Sequence, residues 1–410
     1  MPQHDAPRLT FSAPATHSDW MLRDGVPWGP AGVHHMLDMC KAAGWSRVHW
    51  RALDGGRSLY ASQLMDPQGK WDENSFWHPA TPEDMALFRG YYPAMPEAEM
   101  ADLLARLERH DYAGFDTLAE AVRYGHQIGL QVWAWVSVNE DDHGWGLQSR
   151  FSRAHPECRW VRRDGTPYRS QLSFAFPEVR AYKLAILREI LDRYAVDGLF
   201  LDWLRTGDVR DNPQTDAEGV ADYGYEGPLV ESFRAEHGVD PADVPNGDAR
   251  WVAWRARPVT EFVRAARDLV RGQRPGLPIA ALVAHPWLYR GRLDPIDGNL
   301  RGMLLDVAAW ARQGLVDAVC PAGYYREGGT PQSAYRALGA ETAGQAEVWL
   351  YQWVPKDPAE LQTQCDLALE LGAGHILHWE ADYIDARADK EELQAAMRAR
   401  ALLPSAAITP

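Results

Sequence analysis

The stretch Ala195–Arg205, AVDGLFLDWLR, decides the fold. Its apolar run, residues 198–201, is too short for a helix and follows an Asp-Gly pair, so it predicts a buried strand. The run ends on Asp202, although an unpaired carboxylate in an apolar core loses its hydration. Side chains alternate along a strand, so Gly198, Phe200 and Asp202 share one face. Asp202 is therefore either a catalytic carboxylate at the end of a barrel strand or a cap on the next turn.

Strand and helix patterns alternate about eight times around this stretch. Alternating βα units predict a parallel sheet, and eight units in a chain of 410 residues predict a (β/α)₈ TIM barrel. The predicted strands cover residues 9–12, 46–52, 131–138, 197–203, 277–284, 316–320, 347–353 and 375–379. The predicted helices include residues 33–43, 115–129, 178–194, 249–272, 300–313, 330–343, 358–371 and 390–402.

The lengths of the connections support a barrel and indicate its functional end. Connections from helix to strand are short, whereas those after strands two, three and four are long insertions. Strand-to-helix loops form the catalytic face of a TIM barrel, and long loops in compact domains are usually functional. We predict a catalytic barrel over residues 1–385, with residues 53–111 as a lid, and a terminal helix and tail over residues 386–410.

The composition limits the partners. The net charge of −15 argues against binding to nucleic acid or to an anionic membrane surface. Eighteen Trp and sixteen Tyr residues are many for this length, and some are expected to line a groove that stacks on sugar rings. The four cysteines are too widely spaced for a zinc site, so we predict no metal and no cofactor. The N-terminal residues lack the pattern of a signal peptide, which predicts a cytoplasmic chain.

Polar and aromatic residues follow the ends of most predicted strands, at one end of the barrel. Hydrolysis of a glycosidic bond needs this mixture: two carboxylates for the chemistry, aromatic rings for sugar faces, and Arg or Gln for hydroxyls. The candidate carboxylates are Asp202, Glu380, Glu140 and Glu327. The candidate substrate contacts are Arg51, Trp135, Asn139, His143, Trp203, Arg205, His285, Trp287, Tyr324, Tyr325, Gln352, Trp353 and Trp379.

Glu380 is the first choice for the general acid/base. It shares strand parity with Ile376 and His378, so it can face the mouth from the last strand. Apolar neighbours such as Trp379 are expected to keep such an acid protonated near neutral pH. Glu140 and Glu327 are the alternatives.

Three segments resemble the glycosyl-hydrolase-like family 10 barrels: VDGLFLDWLR, SFAFPEVRAYKLAILREIL and WARQGLVDAVCPAGYY. The resemblance runs from about Val33 to Tyr383. It implies a TIM-type barrel that acts on glycosidic bonds of polysaccharides or cell-wall glycans. It also implies that Asp202 is the nucleophile or key carboxylate, and it favours a retaining mechanism.

The sequence therefore predicts a glycoside hydrolase with a carbohydrate substrate. One alternative is a carbohydrate-binding barrel that has kept the groove and lost turnover. Another is a metal-dependent lyase or isomerase, in which Glu140, Asp141, Asp142 and His143 hold a divalent cation. A solvated acidic loop is the simpler interpretation of that cluster.

Overall fold

The computed structural model describes residues 9–16, 27–69, 98, 102, 105, 109–139, 141, 148–202, 204, 222–283, 304–321, 332–385 and 387–401. Within these residues, eight parallel strands form the barrel. They are β1 Thr10–Ala15, β2 Arg47–Asp54, β3 Gln131–Ser137, β4 Gly198–Asp202, β5 Ile279–Val283, β6 Ala318–Pro321, β7 in two pieces (Glu347–Val348 and Leu350–Trp353) and β8 His375–Trp379.

The pairing order of the strands closes the sheet. The first piece of β7 pairs with β6, the order continues through β5, β4, β3, β2, β1 and β8, and β8 pairs with the second piece of β7. The two ends of this order are pieces of one strand, so the sheet curves into a nearly closed barrel. The predicted TIM barrel is confirmed.

The helices surround the barrel, and most match the predicted pattern. They are α1 Pro30–Ala42, α2 Thr117–Gln127, α3 Arg150–Ala154, α4 Pro177–Arg193, α5 Gly227–His237, α6 Ala249–Gln273, α7 Val307–Arg312, α8 Gln332–Thr342, α9 Pro358–Leu371, α10 Asp382–Asp385 and α11 Lys390–Arg400. Short antiparallel strands add Arg57–Ser58 beside β2, and a hairpin of Arg159–Val161 with Pro167–Leu172. In the described part of the chain, no helix is long and apolar enough to span a membrane.

Each barrel strand is buried on both faces. On β4, Leu199 and Leu201 pack in the layer that the helices cover, whereas Phe200 packs with residues of the barrel interior. Gly198 lies on the inner face, where a Cβ atom would collide with the Trp133 ring. The interior cluster consists of Trp133, Trp135, Phe200, Ala280, Leu282, Ala318, Cys320, Trp349, Tyr351 and Leu377.

The start of the predicted lid packs against the side of the barrel. The Tyr60 hydroxyl donates to Glu189 on α4 at 2.6 Å, and Arg193 donates to the carbonyl of Ala61 at 2.6 Å. The rings of Tyr60 and Tyr194 meet edge to face at 5.6 Å. Residues 57–69 are thus held on the end of α4, while most of residues 70–108 lie outside the described residues and their role as a lid stays a prediction.

The two ends of this insertion meet. A Cβ atom at Gly69 would collide with the carbonyl oxygen of His110. The His110 ring stacks on Trp28 at 4.3 Å, and Trp28 also meets the edge of Tyr112. The chain therefore leaves this side of the barrel and returns to it at one point.

Candidate active site

Asp202 lies at the C-terminal end of β4 and is fully buried. Its neighbour in the ladder is Ser137, the last residue of β3. Burial, and then the negative charge of Asp202, raises the pKa of the Cys320 thiol on β6. Because Cys320 belongs to the interior cluster, the Asp202 carboxylate faces the inside of the barrel, as the alternation of Gly198, Phe200 and Asp202 predicted.

Arg51 and Glu380 form an ion pair at the same end of the barrel. Arg51 Nη2 donates to Glu380 Oε1, and Arg51 Nη1 donates to Asp54 Oδ2 at 3.0 Å. The guanidinium carbon lies 4.0 Å from the centre of the Trp135 ring. Arg51 is paired in register with Trp135 on β3, the strand that carries Ser137. The arrangement brings one cation and two carboxylates to the C-terminal end of β2.

Strand parity does not explain the position of Glu380, although the sequence predicts that it does. Ile376 packs in the layer under the helices, and His378 accepts from Trp45 Nε1 at 3.1 Å on the same outer side. The parity argument for Glu380 is therefore wrong, because its parity partners face the helices. Glu380 lies beyond the end of β8 and contacts Arg51 instead. The guanidinium thus contacts the carboxyl group for which the sequence indicates only Trp379 as a neighbour.

Aromatic side chains form one wall of the same end. The Trp135 and Trp379 rings meet at 5.1 Å with an interplanar angle of 65°, and Tyr351 lies 5.6 Å from Trp379. Trp353 meets the edge of Tyr383 at 5.7 Å. Trp353 and Trp379 are both partly exposed. These rings suit the apolar faces of sugars, since aromatic faces combine apolar area with rigidity.

The structure corrects Gln352. Along β7, Tyr351 belongs to the interior cluster and Leu350 to the outer layer, so Gln352 shares the outer side with Leu350. Its ladder partner is His378, which also faces the helices. The predicted contact between Gln352 and a substrate at the mouth is wrong for this reason.

The remaining candidates divide between buried and undescribed positions. Asn139 is fully buried, two residues beyond Ser137. Nine candidates lie outside the described residues and stay predictions: Glu140, His143, Trp203, Arg205, His285, Trp287, Tyr324, Tyr325 and Glu327.

Asp141 is neither a solvated residue nor an open metal ligand. It is fully buried, lies 3.3 Å from Lys183 Nζ and accepts from Ser149 Oγ at 2.6 Å. Lys183, on α4, is itself almost fully buried. A buried carboxylate held by an ammonium and a hydroxyl is a structural ion pair, so both interpretations of the acidic loop are wrong for Asp141. Its predicted co-ligands Glu140, Asp142 and His143 lie outside the described residues.

A buried histidine network fills the barrel below the site. Ser12 Oγ lies 2.6 Å from His375 Nε2 and 2.9 Å from His49 Nε2, and Thr10 Oγ1 lies 2.7 Å from His375 Nδ1. Burial, and then the nearby charge of Arg47, lowers the pKa of both imidazoles well below the ordinary value. Both rings are therefore neutral in the folded protein at neutral pH. The sequence analysis missed them because they stand at the start or middle of strands.

One cluster of potential metal ligands exists among the described residues. His155, Glu157 and Cys158 place a ligand atom each within 4.8 Å of one another. Burial, and then the charge of Glu157, raises the pKa of the Cys158 thiol to about 11. Exposed acidic groups often lie near such side chains without a metal, and we assign no metal there.

The chain is similar to a known protein family and to a curated enzyme. Residues 88–348 match the family model described as Glycosyl hydrolase-like 10. A curated relative, the glycosyl hydrolase DigH of Escherichia coli strain K12, is 24% identical over 229 residues, which cover 52% of this chain and 47% of the relative. The chain thus spans about half the length of the curated relatives it matches.

Solved structures resemble the chain over nearly its whole length. An alpha-L-fucosidase isoenzyme 2 from Paenibacillus thiaminolyticus superposes with a TM-score of 0.58 at 14% identity, covering 96% of this chain and 49% of that one. The glycoside hydrolase domain of PgaB (BpsB) from Bordetella bronchiseptica gives 0.57 at 15%, covering 95% and 99%. The catalytic domain of a Paenibacillus polymyxa beta-amylase gives 0.58 at 10%, covering 96% and 97%. At these identities the likeness establishes the fold alone.

Proposed function

The chain belongs to the glycosyl hydrolase-like 10 family, and from that premise we propose that it hydrolyses a glycosidic bond in a polysaccharide or cell-wall glycan. One observation carries the proposal: the Asp202 carboxylate is buried at the C-terminal end of β4 and faces the barrel interior. The C-terminal ends of the strands carry the active sites of TIM-barrel enzymes.

We assign the nucleophilic role to Asp202 in a retaining mechanism. Its carboxylate attacks the anomeric carbon as the bond to the leaving oxygen breaks, and a glycosyl-enzyme ester forms. A second carboxyl group protonates the leaving oxygen and then takes a proton from the water that cleaves the ester. Glu380 is our first choice for this group. Glu140 and Glu327 are the alternative donors, because Arg51 already contacts Glu380.

Arg51 and the tryptophans complete the proposed substrate site. The guanidinium on the Trp135 face donates to both Glu380 and Asp54, and a substrate that displaces either contact meets a charged donor. Trp379 and Trp353 offer partly exposed ring faces for sugar units on the rim. The proposal gives Arg51 two functions, holding Glu380 and donating to a hydroxyl.

A glycan panel tests the proposal. Release of reducing ends is measured on peptidoglycan, chitooligosaccharides, starch and a set of 4-nitrophenyl glycosides. Asp202→Asn should remain folded and lose at least about 10³-fold in kcat, because the transition-state charge loses its partner. The matched control is Asp197→Asn at the opposite end of the β3–β4 ladder, where the carboxylate accepts from the Val132 amide at 2.7 Å. Asp197→Asn should lower stability and leave kcat unchanged. Wild-type turnover in Asp202→Asn would refute the assignment.

A carbohydrate-binding barrel without turnover is the second candidate, favoured by the ion pair that neutralises Glu380. It predicts that a member of the panel raises the melting temperature without releasing reducing ends. A metal-dependent lyase or isomerase has less support, since Lys183 already holds Asp141. Loss of activity in the presence of a chelator would favour this metal-dependent function.

A further inference from the structure

Ser137 carries a hydroxyl that none of the described residues uses. The residue ends β3 and is fully buried, and its Oγ atom has no hydrogen-bond partner among the described residues. The same is true of Nε1 of Trp135, two residues earlier on the same face of the strand. Nε1 of Trp133, lower in the barrel on this face, is a third such atom. Large majorities of buried polar side-chain atoms are hydrogen-bonded, so the two exceptions at the C-terminal end of the strand need a reason.

The position of Ser137 supplies the reason. Ser137 is paired in register with Asp202, and residues paired in this way on neighbouring parallel strands point to the same side. Neighbouring strands lie about 4.8 Å apart, so the hydroxyl and the carboxylate lie side by side at the C-terminal end of the barrel. Asp202 accepts hydrogen bonds, Trp135 Nε1 donates them, and Ser137 Oγ does both.

This donor and acceptor set matches a sugar hydroxyl, which also donates and accepts. We propose that Ser137 Oγ, together with Trp135 Nε1, binds the substituent on the ring carbon next to the anomeric carbon that Asp202 attacks. The inference rests on the proposed function and adds a specificity: the site selects sugars with a hydroxyl or amide at that carbon. Hydrogen bonds to this substituent strengthen in the transition state of glycosidases.

The test exploits the absence of a partner for Ser137 Oγ within the described residues. A hydroxyl that serves only the fold would lower the melting temperature when removed, whereas Ser137→Ala removes an unsatisfied group and should leave the melting temperature unchanged or higher. Its kcat/KM on the cleaved panel member should fall about 10- to 100-fold. The matched control is Ser152→Ala on α3, where the hydroxyl is also buried and has no partner in the described part of the chain. Ser152→Ala should leave both quantities unchanged.

A substrate pair sharpens the result. On a 4-nitrophenyl glycoside and its 2-deoxy counterpart, wild type should prefer the full sugar, and Ser137→Ala should lose most of that preference. If the chain binds glycans without cleaving them, the same variant should lose the thermal shift that chitotetraose or another panel glycan produces.

The outcomes separate the two proposals. Full kcat/KM and an unchanged substrate preference in Ser137→Ala, with Asp202→Asn inactive, overturn the Ser137 inference and leave the glycosidase standing. Parallel loss of activity and melting temperature in Ser137→Ala shows a structural hydroxyl and also overturns it. A wild-type chain that neither cleaves nor binds any panel glycan overturns both.

Discussion

Acidification from pH 7.5 to pH 5.5 should destabilise the protein, because three buried histidines must be neutral for it to fold. Burial lowers the pKa of His378 to about 3 and that of His49 and His375 well below 6.5. His378 shows why: its Nδ1 accepts from Trp45 Nε1, and its Nε2 lies 3.1 Å from Gln364 Oε1. A proton on Nδ1 would remove the Trp45 bond and place a charge in the core.

The sign follows from proton linkage. The unfolded chain binds a proton at each of these histidines below about pH 6.5, whereas the folded chain does not, so stability falls as the pH drops through that value. Between pH 7.5 and pH 5.5 each histidine costs about 1.4 kcal/mol, so the three together cost about 4 kcal/mol. The free energy of unfolding continues to fall until the pH reaches the lowered pKa values of the histidines in the folded state.

Glu226 opposes this loss. The carboxyl group is buried at the start of α5, where it accepts from Ser173 Oγ at 2.6 Å, and burial raises its pKa to about 7. The unfolded glutamate is ionised across the whole interval, whereas the folded one gains a proton as the pH falls. Acidification therefore stabilises this group by about 2 kcal/mol, and the net loss is about 2 kcal/mol.

Urea unfolding at the two pH values measures the difference without adding salt. Glu226→Gln removes the opposing effect, so its loss of unfolding free energy should widen to about 4 kcal/mol. Glu391→Gln, an exposed position on α11, is the control and should behave as wild type. Equal or higher stability of wild type at pH 5.5 would refute the claim that the three histidines are neutral in the fold.

Three further predictions concern contacts made across the chain. Arg51→Met and Glu380→Gln should each cost about 3–5 kcal/mol in urea unfolding, and the double variant less than their sum; additive losses would mean that the ion pair does not exist. Lys183→Met should cost a similar amount by leaving Asp141 charged and buried, and adding Asp141→Asn should recover part of it; an unaffected single variant would contradict the buried pair. Tyr60→Phe should cost about 1–2 kcal/mol and leave kcat unchanged, whereas altered turnover with full stability would place that segment at the mouth.

The barrel was predictable because its signals are local. The Asp-Gly pair before Gly198 and the short apolar run after it predict a strand from adjacent residues, and α9 and β8 begin and end where the pattern places them. The orientation of Asp202 also followed from local alternation, because Gly198 and Phe200 fix the inner face of the same strand.

The inner faces of β7 and β8 could not be predicted in the same way. Both faces of a parallel barrel strand are buried, so Trp349 beside Leu350, and Ile376 beside Leu377, give no polar alternation that marks the interior. For this reason the sequence predicts the wrong side for Gln352. The partner of Arg51 was equally hidden, since Glu380 lies 329 residues away in the chain. Ser137 had a weak signal: a small polar residue two positions after Trp135, in register with Asp202.

The contact between Gly69 and His110 means that the long insertion can be replaced as one segment. Its two ends meet at one point on the barrel side, so a linker of a few residues can join them without stretching the scaffold. Residues 57–69 must stay, because they are anchored on α4 through Tyr60. Residues 70–109 can then be deleted, or replaced by the corresponding loop of a relative, in one cloning step. If such chimaeras keep the melting temperature and change the preferred glycan, the barrel determines stability and the inserted segment determines the substrate range.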